Sequence, residues 1–409
     1  MSTHKNNSGI TAPKGFSAAG RHVGIKKNGK NDLTLVACEC PATAAGAFTK
    51  NLVHAAPVAW DRNVIKAGGM VRGILVNSGN ANACTGKQGM TDCLEAAKTY
   101  AGLLKCSPEE ILICSTGVIG VNLPMERLLS GIKETFPLLG SGINHDEDAV
   151  AGIMTTDTYP KTVSMTIELS GKTVTLGGMA KGSGMIHPNM ATLLAFVTTD
   201  AAVSGAMLQK VLEDSVEETY NMISVDGDTS TNDTVLCLAN GLAGNKEISA
   251  EDEDYRVFRD ALYEINKKLA IEIAKDGEGA TKLLEATVSG AKTKGDARLI
   301  ARSVISSNLM KAAMFGNDAN WGRVLCAMGY SGGLFDPAGV EMSFNSAAGS
   351  ILLMSGGEPV PFEEEKALAI LKEKEIKILI ELTDGSERAT AWGCDLTYDY
   401  VKINGDYRS

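Results

Sequence analysis

The sequence predicts an α+β protein, because hairpin patterns are mixed with amphipathic helices and do not follow the regular strand and helix repeat of a doubly wound parallel sheet. Residues 163–169 alternate between apolar and polar side chains, as in a half-buried strand. Ser170-Gly171-Lys172 then turns the chain into a return strand that contains Val174 and Leu176. Near the C-terminus, Asp384-Gly385 separates two strand-like runs, 376–382 and 390–397, which predicts a second hairpin.

The first hairpin leads to a glycine-containing loop and then to a third strand. Leu193–Val197 is apolar at every position, which is typical of a strand covered on both faces. Three helices are predicted by apolar side chains that recur on one helical face. One is capped by Ser204, one follows the acidic stretch 251–254, and one begins at Thr91 or Asp92.

Length and charge narrow the class of protein. A chain of 409 residues is long for a single core, so two or three subdomains are expected. The formal net charge of -10 argues against a nucleic acid or a membrane surface as the general partner. A small soluble substrate is therefore the expected target.

Cysteine and histidine usage indicates neither a disulfide framework nor a metal site. The nine cysteines lack paired CxxC spacing, and the five histidines form no HExxH motif. The N-terminal residues carry neither an apolar signal core nor an Arg-rich presequence, and no apolar run approaches the ~20 residues of a membrane span. We expect a cytoplasmic protein without a bound metal.

Thr192 stands between the glycine-containing loop and the apolar strand. From residue types alone, a structural role as the first residue of a buried strand is the simpler interpretation. However, cleavage of the Ala191–Thr192 bond would give Thr192 both a hydroxyl nucleophile and a free α-amine to take its proton. An α-amine titrates near pH ~8, so a large part of it is an unprotonated base under cellular conditions.

The segment Lys181-Gly-Ser-Gly-Met, followed by His187-Pro-Asn-Met-Ala-Thr192, resembles the self-cleavage segment of the glutamate N-acetyltransferase family, also called ornithine acetyltransferase, of arginine biosynthesis. The resemblance extends from near residue 10 to the last residue. It implies a layered α/β sandwich of the self-cleaving N-terminal-nucleophile type, related to the DmpA aminopeptidase fold. A smaller C-terminal α+β subdomain would complete the chain.

The same resemblance implies a reaction. Thr192 would accept the acetyl group of N2-acetyl-L-ornithine, release L-ornithine, and pass the acetyl group to L-glutamate. The resemblance implies no bound cofactor and leaves acetyl-CoA open as a second donor. It also implies cleavage into segments 1–191 and 192–409 that remain together as an α2β2 heterotetramer. Small-residue stretches around Gly332 and from Ser346 to Ser350 predict a smaller C-terminal unit, which divides the second segment into 192–280 and 281–409.

An oxyanion hole is expected where acyl transfer creates a negative oxygen, and backbone N–H groups on a glycine-containing turn are typical donors. Residues 113–120, Ile-Cys-Ser-Thr-Gly-Val-Ile-Gly, follow an apolar run and read as such a turn. Most turns of this kind have no further role. The resemblance to the Ser-Thr-Gly motif of the family implies that Thr116 and Gly117 line the oxyanion hole.

The remaining predicted site residues also come from the resemblance. Thr155, with Thr156 as the alternative, lies in the hydroxyl-rich segment 154–161. Lys181 suits the α-carboxylate of an amino acid, although a solvated lysine is the plain alternative. Glu278, between two glycines after a predicted helix, would bind the substrate amine, and its plain alternative is a helix-ending loop. Asn404 and Ser409 of the C-terminal tail would complete the substrate contacts.

Three further segments, 77–82, 225–233 and 316–323, combine glycine with polar side chains. We interpret them as tight turns that support the site. His187 is not needed as a base if the α-amine of Thr192 serves that role. Two rival functions stay open: an aminopeptidase or amidase of the same self-cleaving fold, with water as acceptor, and a non-catalytic amino-acid-binding protein with an intact chain.

Overall fold

The computed structural model describes residues 9–187 and 193–406, and these divide into two compact units. The first unit contains residues 9–182, 193–221 and 229–270. The second contains residues 183–187, 222–228 and 271–406. The predicted segment 281–409 falls in the second unit as far as it is described, whereas residues 192–280 contribute to both.

The described strands are β1 Phe16–Arg21, β2 Leu33–Phe48, β3 Val71–Asn80, β4 Ile111–Val118, β5 Lys161–Leu169, β6 Lys172–Lys181, β7 Leu194–Thr199, β8 Ile223–Ser224, β9 Thr234–Ala239, β10 Leu283–Ala291, β11 Glu341–Ser346, β12 Gly349–Ser355, β13 Glu358–Pro359, β14 Glu375–Glu381 and β15 Glu387–Cys394. The described α-helices are α1 Ala56–Lys66, α2 Gly86–Leu104, α3 Met125–Thr135, α4 Ile143–Ile153, α5 Gly205–Glu218, α6 Glu253–Lys275, α7 Lys294–Ser306, α8 Asn308–Phe315, α9 Trp321–Gly329, α10 Glu364–Leu371 and α11 Tyr398–Gly405. Among these helices, none combines the length and the apolar composition needed to cross a membrane.

The sheet of the first unit is covered on both faces. Its described strands run in the order β4-β3-β2-β9-β7-β6-β5, and β1 pairs with β2. Because side chains alternate between the faces of a strand, Leu33 and Leu35 of β2 join one apolar cluster and Val36 joins another. Helices α2 and α3 contribute to the first cluster and α4 to the second. This layered arrangement confirms the predicted α+β class.

The predicted hairpin and the strand after it are confirmed in the first unit. Strands β5 and β6 pair in antiparallel fashion, with Leu169 opposite Lys172. Strand β7 is buried at every position and lies between β6, which is antiparallel to it, and β9, which is parallel. At the start of β7, Leu194 stands opposite Lys181. The two residues after Thr192 along the chain therefore lead into the interior of the sheet.

The second unit has its own mixed sheet, in the order β13-β12-β11-β14-β10-β15-β8. Helix α7 packs its apolar side against β10 and β15. The predicted C-terminal hairpin is wrong, although both of its strands exist. Strand β10 lies between them, parallel to β14 and antiparallel to β15. The Asp384-Gly385 turn passes the end of β10, where Gly385 N–H donates to Gly290 O at 2.8 Å.

The predicted helices are present, with one different start. Helix α5 follows Ser204, and α6 buries its predicted apolar face. Helix α2 begins at Gly86 instead of Thr91 or Asp92. Its first turn contains two glycines, which lower helix propensity, but Asn82 Nδ2 donates to Gly89 O at 3.0 Å and so holds this turn. A tertiary contact therefore extends the helix beyond what local propensity predicts.

Candidate functional site

Thr116 and Gly117 lie in a strand instead of the predicted turn. Strand β4 continues to Val118, with Thr116 opposite Ser78 and Gly117 opposite Gly79 of β3. Gly117 has φ +133°, and a Cβ there would stand 2.3 Å from the carbonyl carbon of Gly79. The register shifts just beyond this pair, at Asn80. The irregular strand end therefore takes the place of the glycine turn expected from the sequence.

Asparagines hold this strand end in place. Asn77 Nδ2 donates to Asn80 O at 2.8 Å, and Ser115 Oγ donates to Asn77 Oδ1 at 2.6 Å. Asn232 Nδ2 donates to Ser115 O at 2.8 Å and to Ala81 O at 2.6 Å. Segments 77–82 and 229–233 therefore support the residues next to Thr116. The sequence predicted turns in 77–82 and 225–233, but it did not indicate that both segments contact the strand that carries Thr116.

Lys181 lies at the end of β6, and its side chain contacts Thr116, one of the two residues predicted to line the oxyanion hole. Its Nζ donates to Thr116 Oγ1 at 3.4 Å, and the side chain is buried. The plain alternative of a solvated lysine is therefore wrong. Two predicted site residues that are 65 positions apart in the sequence are brought together.

Asp157 is a site residue that the sequence analysis missed. Its Oδ2 accepts the Thr155 N–H at 3.0 Å, and its Oδ1 accepts the Gly182 N–H at 2.7 Å. Lys161 Nζ donates to the same Oδ1 at 2.8 Å, and neither side chain of this ion pair is exposed. Asp157 thus joins the segment that carries Thr155 to the residue after Lys181. The i,i+4 Asp and Lys spacing within 154–161 was the available signal.

The same part of the first unit carries an excess of positive charge. Burial opposes ionisation of Asp157, but the charges of Lys181 and Lys161 outweigh it and hold the pKa of Asp157 at about 2. Lys26 Nζ donates to Met154 O at 2.7 Å. Burial, partly offset by Asp32 and reinforced by Lys181, lowers the pKa of Lys26 to about 8. Three lysines around one ionised aspartate favour the binding of a carboxylate.

The predicted residues of the second unit form their own cluster. Asn404 Nδ2 donates to Glu278 Oε2 at 2.8 Å, although 126 positions separate the two residues. Glu278 N–H donates to Ser183 O at 2.9 Å, and Ser183 Oγ donates to Asp276 O at 2.7 Å. A Cβ at position 184 would lie 2.2 Å from the Glu278 carboxyl carbon, so glycine is required there. The structure therefore brings together two of the residues that the sequence assigns to substrate binding, Glu278 and Asn404.

His187 is engaged on both ring nitrogens. Nε2 lies 3.2 Å from Arg302 Nη2, and Nδ1 lies 3.0 Å from Ser224 Oγ. Burial and the Arg302 charge lower the pKa of His187 to about 4. The ring is therefore neutral at pH 7, with Nε2 accepting from the guanidinium. This arrangement suits a structural role better than that of a catalytic base.

Three predicted residues, Ala191, Thr192 and Ser409, lie outside the described residues. Thr155 and Thr156 are both described, and the Thr155 N–H is held by Asp157. Within residues 9–187 and 193–406, no group of three or more His, Cys, Asp or Glu side chains is placed to hold a metal ion.

A Gly117→Ala substitution tests the strand end. We expect loss of acyl transfer and a fall of about 2 kcal/mol in the free energy of unfolding, because the methyl group meets the β3 backbone and the backbone is left-handed. Denaturant titration and a transfer assay measure the two effects. Gly102→Ala is the matched control, since an exposed helical position with open space should gain roughly 0.5–1 kcal/mol. Normal activity and stability in Gly117→Ala would contradict the assignment.

Comparison with known proteins gives matches over nearly the whole chain. The model of the ArgJ family matches residues 17–409. The arginine biosynthesis bifunctional protein ArgJ of Symbiobacterium thermophilum is 54% identical over 403 residues, which are 98% of each chain. The protein of the same name from Thermotoga neapolitana is 51% identical over 401 residues, which are 97% of this chain and 99% of the relative.

Solved structures match over shorter lengths. The arginine biosynthesis bifunctional protein of Bacillus halodurans is 45% identical, with a TM-score of 0.49, over 51% of this chain and 97% of the solved one. Ornithine acetyltransferase of Mycobacterium tuberculosis, solved in complex with ornithine, is 42% identical, with a TM-score of 0.42, over 45% of this chain and 97% of the solved one.

Proposed function

Because the chain belongs to the ArgJ family, we propose that it transfers the acetyl group of N2-acetyl-L-ornithine to L-glutamate through an acetyl ester on Thr192. The family match confirms the resemblance seen in the sequence. The chain is an acetyltransferase of arginine biosynthesis, as its relatives at 45–54% identity are named for that pathway. Such a role on soluble amino acids agrees with the cytoplasmic location expected from the sequence.

Self-cleavage is the first step of the proposal. The Thr192 hydroxyl attacks the Ala191 carbonyl, the acyl group moves from nitrogen to oxygen, and water hydrolyses the ester. The products are a carboxylate on Ala191 and a free α-amine on Thr192. This amine then takes the proton of the hydroxyl in each later attack.

Acetyl transfer follows in two half-reactions. Thr192 Oγ1 attacks the acetyl carbonyl of N2-acetyl-L-ornithine, and ornithine leaves once its nitrogen has been protonated. The amine of glutamate then attacks the acetyl ester and restores the hydroxyl. Thr116 and Gly117 donate to the oxyanion in both steps. Lys181 binds the α-carboxylate shared by the two amino acids, Glu278 and Asn404 contact the amine end, and Thr155 and Ser409 complete the contacts.

One observation carries the proposal: Lys181 Nζ contacts Thr116 Oγ1 at 3.4 Å. This contact supports the proposal, because Lys181 could bind the α-carboxylate of an amino-acid substrate while Thr116, next to it, donates to the oxyanion. Lys181 also stands opposite Leu194, two residues after the nucleophile. Lys181 thus links Thr116, proposed for the oxyanion hole, to the strand that follows Thr192 in the sequence.

The α2β2 assembly is also a proposal, and the shared sheet supports its first requirement. Strands β7 and β9 of segment 192–409 lie between β2 and β6 of segment 1–191. Cleavage at Ala191 would leave these strands hydrogen-bonded to each other. We expect both segments to co-elute in size-exclusion chromatography, and light scattering would give the mass of two copies of each.

The two donors can be tested separately. Cut protein is incubated with acetyl-labelled N2-acetyl-L-ornithine, or with labelled acetyl-CoA, in the presence of L-glutamate. We expect label in N-acetyl-L-glutamate from acetylornithine with ping-pong kinetics, and mass spectrometry of the segment that begins at Thr192 should show one added acetyl group when glutamate is absent. A second activity is what the "bifunctional" name of the relatives suggests, and transfer from acetyl-CoA would supply it. Release of free acetate without transfer would instead favour the amidase.

A further inference from the structure

The segment 183–187, which directly precedes residues 188–192, is held by the neighbouring segment 222–228 of the same unit. Asp226 Oδ2 accepts the Met185 N–H at 2.6 Å, and Asp226 Oδ1 accepts the Ile186 N–H at 2.9 Å. In the reverse direction, Val225 N–H donates to Ile186 O at 2.6 Å. One carboxylate therefore fixes two successive peptide groups on the way to the proposed cleavage bond.

Met185 needs this support because its backbone is strained. Its φ is +55°, in the left-handed region that a non-glycine residue occupies only at a cost in free energy. Its side chain is 53% exposed, so packing alone does not impose this conformation. The two hydrogen bonds to Asp226 hold the strained turn, and strained backbone of this kind is concentrated at functional sites.

The C-terminal helix contacts the same segment through Glu278. Asn404 Nδ2 of α11 donates to Glu278 Oε2 at 2.8 Å, and Glu278 N–H donates to Ser183 O at 2.9 Å. The same helix begins after Thr397, whose Oγ1 donates to Gly279 O at 2.7 Å. Buried Lys311 donates from Nζ to Val225 O and so fixes the other side of the segment. The contacts of α11 therefore reach segment 183–187 through the loop that carries Glu278.

We propose that Asp226 positions segment 183–187 for self-cleavage, and that helix α11 completes this arrangement by holding Glu278. The proposal rests on the self-cleavage put forward above and extends it to a carboxylate, Asp226, that binds no substrate. Its consequence concerns timing. The precursor would cut itself efficiently only after its C-terminal helix has been synthesised and docked, so an incomplete chain would stay uncut.

The test follows precursor made by cell-free synthesis, with the uncut fraction read from denaturing gels over time. We expect Asp226→Asn to slow cleavage roughly tenfold or more, because an amide oxygen replaces a charged acceptor shared by the N–H groups of Met185, Ile186 and Asp228. Asn404→Ala should slow it about threefold, since Glu278 loses its α11 partner but its N–H keeps the bond to Ser183 O. A chain that ends at Leu396 and so lacks α11 should stay largely uncut.

Matched controls separate positioning from general stability. Asp228→Asn changes an exposed carboxylate two residues away, and Val401→Ala changes an exposed side chain of α11, so both should cut at the wild-type rate. In the Asp226→Asn background, Met185→Gly should restore part of the rate, because glycine adopts the left-handed conformation without strain. A purely structural defect would lower the denaturation midpoint and would not respond to this second change.

The outcomes are distinguishable. Wild-type rates in both Asp226→Asn and Asn404→Ala, with a wild-type chain that cuts, would overturn this inference alone. A wild-type chain that never cuts would overturn the self-cleavage proposal together with it. If Asp226→Asn fails to fold, Asn404→Ala and the shortened chain still decide, since normal cleavage in both contradicts a role for α11.

Discussion

Replacing Thr192 with alanine is expected to leave the chain uncut and to abolish acetyl transfer. Alanine has no hydroxyl, so neither the acyl shift from Ala191 nor the acetyl ester can form. Loss of a covalent nucleophile lowers turnover by roughly four orders of magnitude or more. A denaturing gel should show one full-length band for the variant, whereas we expect two fragments from the wild type, ending at Ala191 and beginning at Thr192.

Three companion chains make the Thr192 experiment specific. Thr192→Ser keeps a hydroxyl and should both cut and transfer, at reduced rates. Thr173→Ala alters an exposed threonine of β6 and should behave as wild type. Co-expression of segments 1–191 and 192–409, with the alanine in place, bypasses cleavage and should still lack transfer. Transfer by that assembled pair would show that Thr192 serves processing alone.

The elements predicted correctly are those whose signal is local. The β5 and β6 hairpin follows from strict alternation and a tight Ser170-Gly171 turn, and both turn residues have positive φ. Helix α6 follows from a long apolar stripe, and β7 from an uninterrupted apolar run. In each case, neighbouring residues determine the conformation and their burial agrees with it.

The errors arise where distant segments decide. Asp384-Gly385 has the composition of a hairpin turn, yet β10, about 90 residues earlier in the chain, pairs with both flanking strands and separates them. Nothing in the local pattern distinguishes a direct hairpin from one opened by a third strand. The Thr116-Gly117 motif similarly reads as a turn, because its partner strand β3 lies outside the local window.

The candidate site shows the same division. Thr116, Thr155, Lys181, Glu278 and Asn404 are indicated by resemblance, since their residue types recur in a recognisable order. Their supporting residues are visible only in the fold. Asn232 donates a hydrogen bond to Ser115 O, 117 positions away in the sequence. Asp157 accepts a hydrogen bond from the Gly182 N–H, 25 positions away. Contacts between residues so far apart produce no recognisable spacing in the sequence. The sequence therefore indicated that these segments are unusual, but not which residues they bind.

Among these supporting residues, Asp157 should give the largest loss of stability when changed. In Asp157→Asn, the fully buried Lys161 ammonium loses the negative charge of Asp157, and the Gly182 and Thr155 N–H groups compete for one neutral amide oxygen. Breaking a buried ion pair from one side costs about 3 kcal/mol or more. Guanidinium denaturation should show this loss, and substrate binding should weaken because Lys181 and the Thr155 segment lose their common anchor.

The pH dependence identifies the Asp157 charge as the cause. Its pKa falls from an ordinary 3.8 to about 2 in the folded chain, so folding favours the ionised form. The stabilisation is therefore complete above pH 3.8 and is lost as the pH falls toward 2. Asp157→Asn should lack this component, so the difference in unfolding free energy between the two proteins should narrow in that range. Asp148→Asn, at an exposed position of α4, should stay within about 0.5 kcal/mol of wild type throughout, and an equal loss in both variants would contradict the role of the buried pair.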